Sequence, residues 1–278
     1  MQQESFTGTS AEAIARAAEW VCNADALLIT AGAGMGADSG LPDFRGNEGL
    51  WRAYPALGTL KCSFQSIADP DAFRADPQLA WGFYGHRLKC YREVDPHAGF
   101  AVLRRWAARM RHGAFVYTSN VDGQFQKAGF TENDILECHG SIHYLQCAKP
   151  CCRQIWPAAG FDPVIDERAC RMIGDVPRCV HCDGLARPNI LMFGDHEWLE
   201  DRTERQMERM RRWKNLAEHL VVVEIGAGMA LPTVRRFSER HAPHLVRINT
   251  REPQIDPAKG IGIRGGALET LLAINTAL

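Results

Sequence analysis

Cys179 and Cys182 stand three positions apart, with Pro177 before them and Gly184 after, in a chain of 278 residues that holds ten cysteines. A Cys-x2-Cys turn presents two thiolates from one knuckle, which suits tetrahedral Zn²⁺. A second pair would complete the set. Cys147 and Cys151 lie upstream with Cys-x3-Cys spacing. Cys152 follows Cys151 directly and competes for its place, and Cys170 lies between the pairs. We take Cys147, Cys151, Cys179 and Cys182 as a four-thiolate zinc site, with Cys152 as the alternative to Cys151. Four thiolates leave no open coordination position, so such a metal holds a loop-rich segment together and does no chemistry.

A second kind of chemistry is offered by Gly32-Ala33-Gly34-Met35-Gly36, directly after a short apolar run at residues 26–31. Glycines at a strand-to-helix turn let the backbone approach a pyrophosphate, and the following helix directs N–H groups at the anion. A plain tight turn would use the same glycines. The acidic residue that a dehydrogenase places about 20 positions on, for the cofactor ribose, does not stand where it is needed. The string continues instead as Pro42-Asp43-Phe44-Arg45. Proton transfer at neutral pH would suit a histidine, whose ordinary pKa lies near 6.5. The chain has ten of them, so residue type alone does not select one.

The elements that must position these residues follow from periodicity. Ile14, Ala17, Ala18 and Val21 recur at helical spacing over residues 11–23. Apolar runs at residues 26–30, 115–118, 220–225 and 245–249 read as buried strands, with helical patterns between them. That alternation predicts a doubly wound parallel sheet. Ligands in such sheets bind beyond the carboxyl ends of the strands. Two stretches break the rhythm. Residues 51–96 look helical and are rich in Trp, Phe, Tyr and Arg. Residues 141–187 hold six of the ten cysteines and several prolines. Both read as insertions that build a smaller second domain.

Composition narrows the classes. A net charge of −1, with 46% hydrophobic and 23% charged residues, is ordinary for a globular protein and gives no reason to expect nucleic acid as a partner. The densest basic stretch, residues 209–214, alternates with Glu204 and Glu208 upstream and reads as a solvated helix face. No apolar run reaches the roughly 18–20 residues of a membrane span, and residues 1–10 lack the pattern of a secretory signal. A cytoplasmic protein is the expectation, in which cysteines stay reduced.

The motifs in chain order resemble the sirtuin family. The string from Gly32 through Pro42-Asp43-Phe44-Arg45 is similar to its glycine-rich signature. Thr118-Ser119-Asn120-Val121-Asp122-Gly123 resembles its Thr-Gln-Asn-Ile-Asp-Gly motif, and Cys138-His139-Gly140-Ser141 its His-Gly motif. The knuckle at Cys179 and Cys182, and the string from Arg187 through Phe193-Gly194-Asp195, resemble its second zinc pair and substrate strand. Gly226-Ala227-Gly228 and Asn249 match late cofactor positions. These blocks run from about residue 26 to 270 of this chain.

The resemblance implies an α/β fold. A doubly wound parallel Rossmann-like sheet (residues 1–50, 97–140 and 188–278) would carry NAD. A helical insertion (51–96) and a zinc-binding module (141–187) would form the smaller domain. It further implies an NAD-dependent protein-lysine deacylase that yields nicotinamide, O-acyl-ADP-ribose and free lysine, with an acyl-lysine protein or peptide as partner. His139 would be the base, with Asn120 beside it. The cofactor would contact Gly32, Ala33, Gly34, Met35, Asp43, Phe44, Arg45, Ser119, Asn120, Asp122, Gly226, Ala227, Gly228, Asn249, Gly266 and Ala267. An Asp and an Asn together can satisfy a carboxamide, as acceptor and as donor plus acceptor. Phe193 and Gly194 would meet the substrate, where residues 190–193 could pair with an extended peptide.

Several positions depart from the pattern. Gly36 replaces a serine, Ser119 a glutamine and Gln124-Phe125 a Leu-His pair, while Gly226-Ala227-Gly228 lacks two hydroxyls. These changes leave ADP-ribosyl transfer or NAD hydrolysis in the same pocket as the alternative activity, and a non-catalytic NAD- or ADP-ribose-binding module as the alternative class. Tyr84-x-x-Arg87 resembles the pair found in sirtuins that accept acidic acyl groups, although that class usually has Thr where this chain has Asp43. Residues three apart share a helix face, and a guanidinium takes a carboxylate bidentately. A cation packed on aromatic rings would look the same in sequence.

Overall fold

The computed structural model describes residues 10–42 and 46–278. Asp43, Phe44 and Arg45 therefore lie outside the described residues. The chain opens with α1 (Ser10–Asn23) and β1 (Ala26–Ala31), then runs through α2 (Gly46–Ala53), α3 (Pro55–Thr59), α4 (Phe64–Ile67), α5 (Pro70–Ala75), α6 (Pro77–Glu93) and α7 (Ala98–Arg109). There follow β2 (Ala114–Thr118), α8 (Gln124–Lys127), β3 (Ile135–Glu137), β4 (Gly140–Cys147), β5 (Ile155–Pro157), β6 (Val164–Asp166), β7 (Arg171–Ile173) and β8 (Ala186–Ile190). The last elements are α9 (Asp201–Lys214), β9 (Leu220–Ile225), α10 (Thr233–Glu239), β10 (Leu245–Ile248), β11 (Gly260–Ile263) and α11 (Ala267–Ala277).

Six strands form one parallel sheet in the order β11-β10-β9-β1-β2-β3. Chain order reverses between β1 and β9, so the crevice beyond their carboxyl ends is the switch point of a doubly wound sheet. The four apolar runs form β1, β2, β9 and β10. Sequence periodicity missed the two edge strands, because β3 has three residues and β11 is half glycine. All six residues of β1 are buried. Each fully buried Leu or Ile there contributes about 1.5–3 kcal/mol. One core packs α1, α7 and α11 on one face of the sheet. Another packs Met210 of α9 with Val234 and Phe237 of α10 on the opposite face.

Strands β9 and β10 each carry a buried charge, and register explains the pair. Glu224 on β9 lies directly opposite Arg247 on β10. Arg247 donates from Nε to Glu224 at 2.5 Å and from Nη2 at 3.0 Å, and also reaches Glu239 at 2.9 Å. A buried ion pair persists only when its remaining hydrogen-bonding positions are also met, and Gln254 supplies a carbonyl to Nη1.

A third core joins α2, α3, α5 and α6 to β4, β7 and β8. Here β4 pairs antiparallel with β5 and β8, and β6 with β7. Strand β8 runs across position 187/188 and pairs with β4, not with the parallel sheet. No helix among the described residues is long and apolar enough to cross a membrane.

Candidate functional site

Four loops leave the carboxyl ends of β1, β2, β3 and β9, and each carries residues singled out above. Gly32 N–H donates to Ile225 O at 2.9 Å, and Gly34 N–H to Gly226 O at 3.1 Å. Gly226 has φ +64°, and a Cβ on it would stand 2.4 Å from the Gly34 carbonyl carbon. A Cβ on Gly34 would stand 2.7 Å from Gly226 Cα. The two loops thus touch backbone to backbone, which only glycine allows. Gly228, two residues further on, faces open space, so the floor made by this contact can receive the phosphates of a dinucleotide.

The glycine turn does not run into an α-helix as its sequence suggests. Residues Ala33–Met35 and Ala37–Ser39 form two single 3₁₀ turns, separated at Gly36 and ended at Gly40, where φ is +86°. Their stability comes from a residue that sequence reading passed over. His97 Nδ1 accepts from Gly99 N–H at 3.0 Å, capping α7. Nε2 therefore carries the proton and donates to Met35 O at 2.9 Å, while His97 N–H donates to Ser39 Oγ at 3.0 Å. Burial keeps the His97 pKa below its ordinary value, favouring this neutral tautomer. Histidine is an uncommon cap residue, so nothing in its sequence position announced the role.

The loop after β2 is sewn to the end of β1. Thr118 Oγ1 donates to Ala31 O and accepts from Asn120 N–H, both at 3.0 Å. Ser119 N–H donates to Ala31 O at 3.1 Å, and Asn120 Nδ2 to Gly32 O at 3.0 Å. His139 follows β3, and its ring is bonded to the backbone of Ser119. Burial lowers its pKa and that bond partly offsets the effect, so the imidazole is neutral at pH 7 and can take a proton. Gly140 makes this placement possible. Its φ is +75°, and a Cβ there would stand 2.1 Å from Asn189 O. Asp122 is buried, which lifts its pKa to about 6 despite the hydrogen bond it accepts from Gln124 N–H at 2.9 Å. His143 Nε2 lies 2.8 Å from Asp122 O and supports the same loop from below.

The late positions play supporting parts. Asn249 Nδ2 donates to Ala227 O at 2.9 Å, and its Oδ1 accepts from Arg251 and Glu252 N–H at 3.0 Å. Its polar atoms fasten the β9 loop to the β10 loop. Gly266 and Ala267 begin α11, whose first turn is met by two carboxylates. Glu269 accepts from Gly266 N–H at 2.9 Å, and Asp38 accepts from Leu268 N–H at 2.7 Å.

The Sγ atoms of Cys147, Cys151, Cys179 and Cys182 all lie within 4.8 Å of one another. Cys147 to Cys182 and Cys151 to Cys179 are both 3.7 Å. Tetrahedral Zn²⁺ with bonds near 2.3 Å sets sulfurs about 3.8 Å apart, so the cluster fits that ion. Cys151, not Cys152, completes it; the Cys152 thiol lies 3.9 Å from Cys151, outside the set. The remaining cysteines form no disulfide.

On α6, Tyr84 is buried and stacked on Phe73, with ring centroids 5.5 Å apart, and burial pushes its hydroxyl up to about 12. The Arg87 guanidinium carbon lies 5.2–5.6 Å from the rings of Phe83, Tyr84 and Tyr91. This is the cation packed on rings, and it also lies within electrostatic reach of Asp122. Past β8, Leu191 N–H donates to His139 O and Phe193 N–H to Ala68 O, both at 2.9 Å, and Met192 N–H to Asp195 at 3.3 Å. With these amides engaged, an extended peptide would pair through the carbonyls. Gly194 turns the chain with φ +64°. Arg187 and Asp195, both fully buried, hold that turn with two bonds of 2.8 Å.

The Sir2 family model matches residues 32–230, spanning the glycine contact, the histidine loop and the cysteine cluster. The chain belongs to the Sir2 (sirtuin) family. Among its curated relatives is an NAD-dependent protein deacylase of Pyrococcus furiosus, 30% identical over 86% of this chain and 88% of that one. Another is the mitochondrial NAD-dependent protein deacylase sirtuin-5 of Canis lupus familiaris, 32% identical over 61% of this chain and 56% of that one. A solved Sir2 enzyme structure aligns over 96% of this chain and 97% of its own at TM-score 0.69 and 25% identity.

A Cβ on Gly36 would stand 2.9 Å from Leu41 Cδ1, the end of a flexible side chain that can move aside, so packing does not explain glycine in place of serine there. Nothing in the structure explains Ser119 in place of glutamine.

Proposed function

We propose that this Sir2 chain is an NAD-dependent protein-lysine deacylase that releases nicotinamide, O-acyl-ADP-ribose and free lysine. The observation that carries the reading is the half-buried, neutral His139, held at the Ser119 backbone beside the loop of Asn120 and Asp122. NAD would supply a ribose C1′ from which nicotinamide departs and to which the acyl oxygen attaches. The glycine contact would hold its phosphates against backbone. Asn120 and Asp122 would orient the nicotinamide carboxamide, with Asp122 able to keep its proton at mildly acid pH. His139 would accept the ribose hydroxyl proton at its unoccupied nitrogen. Phe193 and Gly194 would border the peptide.

Arg87 beside the Asp122 loop favours an acidic acyl group, succinyl or malonyl, whose carboxylate a guanidinium binds bidentately. The near-neutral net charge supports a protein partner over nucleic acid.

The test is to incubate the protein with NAD and matched acetyl-, succinyl- and malonyl-lysine peptides while following nicotinamide and peptide mass. Acyl-dependent nicotinamide release, fastest with acidic acyl groups, is expected. Acyl-independent release would replace this reading with NAD hydrolysis or ADP-ribosyl transfer. No release from zinc-loaded protein would leave a binding module.

A further inference from the structure

A break of register in β4 brings one histidine to the Asp122 loop. The strand pairs with β8 at Gly140 and Ser141, shifts, and pairs again from Leu145. Such irregularities re-aim side chains out of a ladder. Inside the break, Ile142 N–H donates to Val121 O at 3.0 Å, and His143 Nε2 lies 2.8 Å from Asp122 O. A carbonyl oxygen only accepts, so Nε2 is the donor. The His143 backbone is held on both sides, its N–H donating to Ser141 Oγ at 3.4 Å and its carbonyl accepting from Ala158 N–H at 2.8 Å. The imidazole therefore projects from a fixed strand. The loop comes close to meet it. Gly123 has φ +73°, and a Cβ there would stand 2.6 Å from His143 Nε2. The side chains that follow in the loop leave the Asp122 carbonyl to His143. Gln124 Nε2 turns away to Val94 O at 3.0 Å. Phe125, where the family's loop has a histidine, packs on Phe100 with ring centroids 5.0 Å apart.

We propose that His143 is the positioning residue that holds the Asp122 turn in the shape that seats nicotinamide, and so sets the grip on the nicotinamide half of NAD. The inference rests on the Asp122 loop being the nicotinamide seat. His143 does not itself touch the cofactor. It fixes the Asp122 carbonyl, hence the peptide plane from which the Asp122 carboxylate projects. A loop left unfastened would have to be ordered by the ligand, and affinity would carry that cost. The effect is confined to ligands that carry nicotinamide. A histidine that merely stabilised the fold would act on every ligand of the crevice alike.

The experiment measures, by calorimetry on the zinc-loaded chain, the affinity for two ligands. One is a carbocyclic NAD analogue, whose nicotinamide cannot leave. The other is ADP-ribose, which lacks nicotinamide. Wild type is compared with His143→Asn, His143→Gln and Asp122→Ala, with zinc content and thermal midpoint as folding controls. The glutamine amide nitrogen stands where Nε2 stands and can still donate; the asparagine amide stops short of it. In His143→Asn the ratio of NAD-analogue affinity to ADP-ribose affinity should fall about fivefold, the worth of one such bond. In His143→Gln it should stay within about twofold of wild type, and in Asp122→Ala it should fall at least as far as in His143→Asn. If Asp122→Ala leaves the ratio at the wild-type value, the nicotinamide seat is misassigned and the inference falls with it. If Asp122→Ala lowers the ratio and His143→Asn does not, the positioning role alone is overturned. Equal losses for both ligands in His143→Asn, or no recovery in His143→Gln, would also overturn it by marking His143 as a support of the fold.

Discussion

Asp195→Asn isolates the buried pair that holds the turn after β8. Arg187 and Asp195 are fully buried and joined by two bonds of 2.8 Å. With charge centres about 4 Å apart and an effective dielectric of about 20, their attraction is about 4 kcal/mol. Removing one partner of a buried pair costs about 3–5 kcal/mol, because the other is left charged and uncompensated. Asparagine keeps an oxygen for the Glu197 N–H that Asp195 now accepts at 3.0 Å, so the charge is the main thing lost. In a chain of this size the thermal midpoint should drop by on the order of 10 °C, read by circular dichroism at fixed zinc and protein concentration. Arg187→Met combined with Asp195→Asn should recover part of the loss, since no bare charge remains. A single variant within 1 °C of wild type would refute the reasoning. It would mean that water or relaxation compensates Arg187 despite its burial.

Three other outcomes are expected. Asp122 titrates at about 6 in the folded chain against an ordinary value near 3.9, so the folded state binds the extra proton between those limits. Stability should fall as pH rises through that window, by about 3 kcal/mol in total. The midpoint gain of Asp122→Asn over wild type should grow from pH 4 to 6 and level off above. Gly140→Ala meets both a φ of +75° and a carbonyl at 2.1 Å; a loss of at least about 2 kcal/mol is expected, seen as a lowered midpoint together with lost turnover. His139→Ala should abolish acyl removal in the peptide assay while zinc, measured by mass spectrometry, stays at about one per chain. Because its folded pKa lies below 6.5, wild-type kcat/KM should hold its plateau to a pH below that of a free imidazole.

What the sequence made legible was the chemistry at strand ends. The runs ending at Ala31, Thr118 and Ile225 are apolar enough to be read as buried, and the residues that follow them are those that meet in the crevice. The zinc knuckle was equally plain, but the choice between Cys151 and Cys152 was not. Adjacent residues point in different directions, and only the fold decides which sulfur reaches the cluster. Strands β3 and β11 were hidden because three residues or alternating glycines carry no period. His97 was hidden because its work is a pair of hydrogen bonds to backbone 62 and 2 residues away, which no spacing encodes. The helix expected after the glycine turn failed because Gly36 and Gly40 interrupt it before four hydrogen bonds can form.

Strand β4 begins one residue after His139 and ends on Cys147 of the four-thiol cluster. Eight residues of strand span roughly 20 Å, more than twice the distance over which exposed charges feel one another at physiological salt. On the proposed roles, a metal held there would be a distant anchor for His139, electrically silent toward the reaction. Any divalent ion that accepts four thiolates should leave the rate constant of the chemical step as it finds it. A coloured or paramagnetic substitute would then make a reporter that watches the enzyme work without taking part.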